Sequence, residues 1–177
     1  MITGTLHPHP HSSCDAIEAL SAQVERSAPA TLALRFRVVG DIGQLLIPAV
    51  GAASRRDGLW KHTCFELFLK AGGGAAYYEF NFSPSGDWAA YRFDGYRSGM
   101  ANAEMTDAPT ISSRHSAGLF ELDVDFSLPP GATTGDALSL SAVIEDRALR
   151  ISYWAVAHAP AKPDFHHDNG FVLRLPA

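Results

Sequence analysis

The feature that most constrains this chain is a period-two alternation of apolar and polar residues that recurs along most of its length, while helical periodicity is almost absent. Within 31–39, Leu32, Leu34, Phe36 and Val38 point one way and Arg35 and Arg37 the other. Within 63–70, Phe65, Leu67 and Leu69 oppose Cys64, Glu66 and Phe68, and within 77–83, Tyr78, Phe80 and Phe82 oppose Tyr77, Glu79, Asn81 and Ser83. Segment 88–94 follows the turn residues Pro84-Ser85-Gly86-Asp87, which predict a hairpin. Phe120, Leu122, Val124 and Phe126 alternate with acidic partners, and Leu138, Leu140, Ala142 and Ile144 alternate along 136–145. Segments 150–158 and 171–175 complete the series. Seven or more short strands punctuated by Gly, Pro, Asp and Ser predict an all-β fold, an antiparallel β-sandwich of jelly-roll or immunoglobulin-like type. Only 15–26 could support one short helix, and it reads equally as an irregular edge strand.

The length of 177 residues suits a single domain over 1–177, with 1–12 as a flexible or edge segment. A net charge of −5 with scattered basic residues lacks the basic stripe that nucleic acid requires, and an acidic membrane surface would be repelled. No apolar stretch approaches the roughly 20 residues that span a bilayer. The start shows no basic region leading into an apolar run, so the expected location is cytoplasmic. Cys14 and Cys64 are expected as two free, buried thiols.

Enzyme signatures are thin: there is no phosphate loop, nucleophile elbow or His-Glu-x-x-His pair. The nearest approach to a metal cluster, Asp164-Phe165-His166-His167-Asp168, reads first as a polar loop, because adjacent strand residues diverge. His7, His9 and His11 could catch a metal but sit at a chain end. More informative is a candidate surface where Glu79 and Asn81 meet Trp88 and Arg92 across the hairpin, with Trp60, Glu66 and Arg97 nearby. Aromatic rings stack on the apolar C–H face of a sugar while carboxylate, amide and guanidinium groups reach its hydroxyls. The plainer reading is cross-strand ion pairs and core-covering tryptophans. Trp154 is either a second stacking platform or an inter-sheet packing residue. Glu66 and Glu79 could also form a hydrolytic carboxylate pair.

The run from Leu59-Trp60 through Cys64-Phe65-Glu66-Leu67-Phe68-Leu69 resembles the Trp-then-Glu-Leu-Phe-Leu segment of DOMON-like domains related to the family-nine carbohydrate-binding modules. The stretch Tyr77-Tyr78-Glu79-Phe80-Asn81-Phe82-Ser83-Pro84-Ser85-Gly86-Asp87-Trp88, then Tyr96-Arg97, Tyr153-Trp154 and Lys162-Pro163-Asp164-Phe165-His166, resembles a subgroup of small stand-alone bacterial proteins. The resemblance runs from about Thr31 to Leu175 and implies a β-sandwich holding a sugar or a haem. It places Trp60 and Glu66 on the early Trp and the acidic residue six positions later, and Trp154 against the late Trp. Glu79, Asn81 and Arg97 fall where polar sugar contacts are expected. The chain lacks the acidic run of a structural calcium site, which argues against calcium.

The expectation is therefore a non-catalytic carbohydrate-binding domain, with Trp60, Glu66, Glu79, Asn81, Trp88, Arg97 and Trp154 as ligand contacts and no catalytic or metal residues. The alternatives are a haem-binding domain, drawing Met and His ligands from Met100, Met105, His115 and His158, and a hydrolase using Glu66 and Glu79. An aromatic face meeting another chain, or a homodimer through an edge strand, also remains open.

Overall fold

A strand that alternates in sequence has one face to bury, and two such sheets solve the problem by facing each other. The computed structural model describes residues 1–133 and 135–177. Its strands are β1 (Ile2–Pro8), β2 (Ile17–Ala28), β3 (Thr31–Gly40), β4 (Cys64–Lys70), β5 (Tyr77–Phe82) and β6 (Trp88–Phe93). They continue with β7 (Ala101–Asn102), β8 (Thr110–His115), β9 (Leu119–Ser127), β10 (Ala137–Glu145), β11 (Ile151–Ala155) and β12 (Leu173–Arg174). Helical structure among the described residues is confined to three-residue 3₁₀ turns. The fold is an all-β antiparallel sandwich.

The strand order is β7-β6-β5-β4-β10-β11-β1-β2-β3-β9-β8, with β12 added to β10. β1 joins the two leaves: Ile2 to Leu6 pair with β2, while His7 and Pro8 pair with β11. The first leaf (β1, β2, β3, β9, β8) turns one face to solvent. Arg35 and Arg37 on β3 lie opposite Asp123 and Glu121 on β9, and Arg114 of β8 reaches both acids. Such exposed pairs contribute about 1 kcal/mol or less each. Their principal effect is to fix which face is wet.

The buried faces meet through aromatic contacts. Phe65 of β4 lies 5.0 Å from Phe36 and 5.7 Å from Phe120 between ring centroids, and Phe80 and Phe82 of β5 meet Phe126 at 4.8 and 5.4 Å. The second leaf differs from the first because its outer face is buried too. Every residue of β4 from Cys64 to Leu69 is buried, since three loop segments fold over that face and make the site described below. Cys14 and Cys64 are both free and buried.

In the N-terminal region one expectation is corrected and one open choice is decided. The expected edge position does not hold, because β1 (Ile2–Pro8) lies between β2 and β11 in the strand order. The stretch left open between a helix and an edge strand is β2, a twelve-residue strand paired on both sides. Its apolar positions Leu20, Ala22 and Val24 alternate and are buried, whereas Glu18, Ala19 and Glu25 face solvent. Tertiary pairing settles what local propensity leaves open.

Candidate functional site

The covered face of the second leaf forms a cleft of about 330 Å³. Its floor is built by alternation on adjacent strands. In β4 the core takes Phe65, Leu67 and Leu69, which leaves Glu66 and Phe68 on the cleft side. In β5 the core takes Tyr78, Phe80 and Phe82, which leaves Tyr77, Glu79 and Asn81 on the other face. Pairing sets Glu66 beside Asn81 and Phe68 beside Glu79, so the two carboxylates are diagonal neighbours on one floor. β10 adds Ser141 opposite Glu66, and Val143 and Tyr153 extend the lining toward β11.

The hairpin from β5 to β6 pairs Phe82 with Trp88, and its turn closes through Gly86 N–H donating to Ser83 O at 3.0 Å. Five residues between the paired positions keep odd residues with odd ones. Ala89, Tyr91 and Phe93 therefore share the face of Glu79 and Asn81. This corrects the expected grouping with Trp88 and Arg92, which fall opposite Phe82 and Tyr78 on the other face. Trp88 is 8% exposed in the main core, with the Arg55 guanidinium 5.1 Å from its ring centroid. Trp154 is also a core residue, 4% exposed, its indole N–H donating to Ser152 Oγ at 2.9 Å. Of the two readings left open for Trp154, the structure takes inter-sheet packing, and its neighbour Tyr153 faces the cleft instead.

Loops supply the walls. A 3₁₀ turn, Leu59–Lys61, holds Trp60 at the mouth, 37% exposed and edge-on to Tyr91 on the β6 side. On the β11 side Tyr153 meets Phe165 edge-to-face, with ring centroids 6.1 Å apart. The loop after β6 turns tightly at Asp94 to Ser98, with Arg97 in the left-handed region at φ 50°. A non-glycine residue held there costs about 1 kcal/mol or more, offset here by fixed contacts. The Arg97 backbone N–H donates to the Tyr77 hydroxyl at 3.2 Å, and its guanidinium donates to Asp164 at 2.8 Å. The Tyr96 hydroxyl also donates to Asp164. Asp164 thus clasps the loop after β6 to the segment carrying Pro163, Phe165 and His166. Burial opposes its ionisation, but the hydrogen bonds from Tyr96 and Arg97 prevail and hold its carboxyl below the usual range.

His166 lies among the rings of Phe68, Phe93 and Tyr77, with its Nδ1 2.8 Å from the Tyr77 hydroxyl. Burial, with help from the Arg97 charge, pushes its pKa down to about 4. Its Nε2 stands 3.7 Å from Glu79 Oε2, beyond a direct hydrogen bond. Glu79 accepts from Asn81 Nδ2 at 2.8 Å, and Glu66 accepts from Ser141 Oγ at 3.0 Å. Burial raises the Glu79 pKa to about 7, against the Asn81 bond and the Arg97 charge. Burial and the neighbouring Glu79 push Glu66 well above the usual carboxylate range. Burial thus favours the protonated form of both acids, an arrangement that clusters at functional sites.

The cleft therefore gathers Trp60, Glu66, Glu79 and Arg97 from the sequence-derived set, with Asn81 beneath Glu79. Sequence reasoning missed Tyr153, Phe68, Phe93 and Met100 as lining residues and passed over His166 except as a metal ligand. The signal for Tyr153 was its place beside Trp154: on a strand, one of two adjacent aromatics must face away from the core.

Among the described residues no group of three or more His, Cys, Asp or Glu side chains could hold a metal ion. His166 and Asp164 are engaged as above, and His167 Nδ1 accepts from the Asn169 backbone. The residues considered as haem ligands are dispersed. Met100 lines the cleft, Met105 packs on the main core, His115 ends β8 in the other leaf, and His158 bonds to His7 O. They do not offer a Met and His pair across a common cavity.

No protein-family model matches the chain, and no curated protein matches it. Solved structures similar in shape include two carbohydrate-related ones. One is a protein from Bacteroides uniformis, provisionally described as carbohydrate-binding, with a TM-score of 0.62 and 14% identity over 97% of this chain and 84% of that one. The other is a family 9 carbohydrate-binding module from Caldicellulosiruptor kristjanssonii in complex with glucose, with a TM-score of 0.44 and 12% identity over 81% of this chain and 69% of that one. At such identity what the chain shares with the Bacteroides protein is its fold alone.

Proposed function

We propose that this protein is a non-catalytic carbohydrate-binding domain of the DOMON-like type, taking a single sugar ring or a chain end into the cleft. One observation carries the reading: aromatic side chains at the mouth on the β6 and β11 sides, Trp60 and Tyr153, stand over a floor of hydrogen-bonding groups, Glu66 and Glu79. The cleft volume lies at the small end of ligand pockets. A pyranose ring offers C–H groups to the aromatic walls and hydroxyl donors to the floor. Arg97, with half of its side chain exposed, would meet hydroxyls nearer the rim. The fold shared with the Bacteroides protein agrees with this reading.

Isothermal calorimetry with mono- and disaccharides tests it. Binding that is lost in Trp60→Ala, with the unfolding midpoint lowered by no more than about 4 °C, is the expected result. No heat with any sugar, and no change in tryptophan fluorescence, overturns it.

A glycoside hydrolase is the second reading, supported by Glu79, whose pKa of about 7 suits a general acid. Such enzymes place their two carboxyl groups on either side of the scissile bond. Here both rise from adjacent strands of one floor and would face the same side of a bound ring. Turnover of aryl glycosides that disappears in Glu79→Gln would establish the enzyme and displace the binding domain.

A further inference from the structure

The floor of the cleft holds more hydrogen-bond acceptors than donors. Glu66 and Glu79 are 2% and 5% exposed, and Asn81 is wholly buried. The donors that neighbouring side chains supply are spent, Ser141 Oγ on Glu66 and Asn81 Nδ2 on Glu79, and each acid adds an O–H of its own only while it is protonated. Asn81 Oδ1 is buried with no partner at all. Among the described residues, the groups packed on this floor add no free charge of opposite sign. Cys64 lies on β4, Tyr77 on β5, and the hydroxyl of Tyr91 on β6 donates a hydrogen bond to Asp57. From the covering loops come Arg97 and Asp164, paired with each other, and His166, held neutral. Among the described residues lining the cleft, the sole permanent cation is thus Arg97, already engaged by a carboxylate.

Ionised carboxylates buried without a counter-charge are costly, so such groups either stay protonated or are paired with a cation. Neutral hydroxyls relieve that demand one donor at a time. An ammonium group brings three donors and the missing positive charge together. We propose that the cleft selects a sugar bearing a free ammonium group, a hexosamine or a chain ending in one, with its –NH₃⁺ directed at Glu66 and Glu79. This assignment rests on the carbohydrate reading above and names the ligand class within it. The aromatic mouth would hold the ring, and the N-acetylated form would be disfavoured because its amide has one donor and no charge. Binding would ionise a floor carboxyl group that is protonated in the free protein: the Glu O–H bond breaks, the proton leaves to the buffer, and the amine keeps its own protons.

Calorimetry with D-glucosamine, N-acetyl-D-glucosamine, D-glucose and cyclohexylamine tests the assignment, at about pH 6 in buffers of different ionisation enthalpy. Glucosamine is expected to bind about tenfold or more tightly than glucose or the N-acetyl sugar, the margin of a charge-assisted over a neutral hydrogen bond. Its observed heat is expected to vary with the buffer, reporting proton release. Glu66→Gln and Glu79→Gln should lower glucosamine affinity toward that of glucose, while Trp60→Ala weakens every sugar alike. Equal or tighter binding of glucose, with no buffer dependence, overturns the ammonium assignment and leaves the carbohydrate reading standing. Binding of cyclohexylamine alone, or of nothing, overturns both.

Discussion

Replacing Glu79 by Gln tests the electrostatic description of the floor without any ligand. Burial raises the folded-state pKa of Glu79 from its ordinary 4.5 to about 7. Below pH 4.5 the acid is protonated in folded and unfolded chains alike, and stability is unaffected. Between those values the unfolded chain gives up a proton that the folded chain retains, so stability falls as pH rises. Above pH 7 the full loss persists. At about 1.4 kcal/mol for each pH step, the interval amounts to about 3 kcal/mol. Glutamine keeps an acceptor for Asn81 Nδ2 and carries no charge. The Gln variant should therefore gain about 3 kcal/mol on the wild type between pH 4.5 and 7, roughly 6–12 °C in melting temperature for a chain of this size. Glu66 shifts in the same direction, but it is present in both proteins and cancels while Glu79 is protonated. Urea denaturation of both proteins across pH 4 to 8 measures the difference. A gap that stays constant across that range, or that widens as pH falls, would refute a buried, unpaired carboxyl group at this position.

The opposite sign is expected at His166, whose folded-state pKa near 4 lies below its ordinary 6.5. As pH drops from 6.5 to 4 the unfolded chain gains a proton that the folded chain refuses, so wild type should lose about 3 kcal/mol relative to His166→Phe; equal slopes in the two denaturation series would contradict a neutral His166. Trp154→Ala should cost about 3–5 kcal/mol by leaving a cavity between the leaves, whereas Trp60→Ala at the mouth should cost roughly 1 kcal/mol or less; comparable losses by urea denaturation would mean that one of the two is misplaced. Gly40→Ala should destabilise by about 3 kcal/mol or more. Gly40 has φ 146°, and an added Cβ would stand 2.0 Å from the backbone oxygen of Ala16; an unchanged melting temperature would show that the β2–β3 end can yield.

The sandwich was legible because alternation reports burial on one face. Thr31, Tyr77 and Trp88 were each placed as the first residue of a strand or within one residue of it. β8 escaped notice because Thr110 to His115 is largely polar and half-exposed, leaving no apolar face to read. β1 escaped because its partners lie on β2 and on distant β11, so nothing local marks it. At the site, Glu66, Glu79 and Trp60 were found from residue type and neighbourhood. Trp88 was assigned to the wrong face, since hairpin parity depends on turn length, which Pro84 to Asp87 alone do not fix. The clasp between the covering loops was not legible either. Asp164 is one carboxylate among many until Arg97 and Tyr96 are seen to reach it.

The division of labour along β4 and β5 bears on how such a protein can change. Successive side chains of one strand serve two separate tasks, Phe80 and Phe82 holding the leaves together while Glu79 meets the cleft with Asn81 bonded to it on the same face. A substitution on the cleft side can therefore alter what is bound while the aromatic contacts to Phe126 stay in place. An inserted or deleted residue is different in kind. It would exchange the two sets at a stroke, driving carboxyl groups between the leaves and phenylalanines into the cleft. Descendants of this sequence should accordingly vary freely in floor residues and in the lengths of the covering loops, yet keep the spacing within these two strands unchanged.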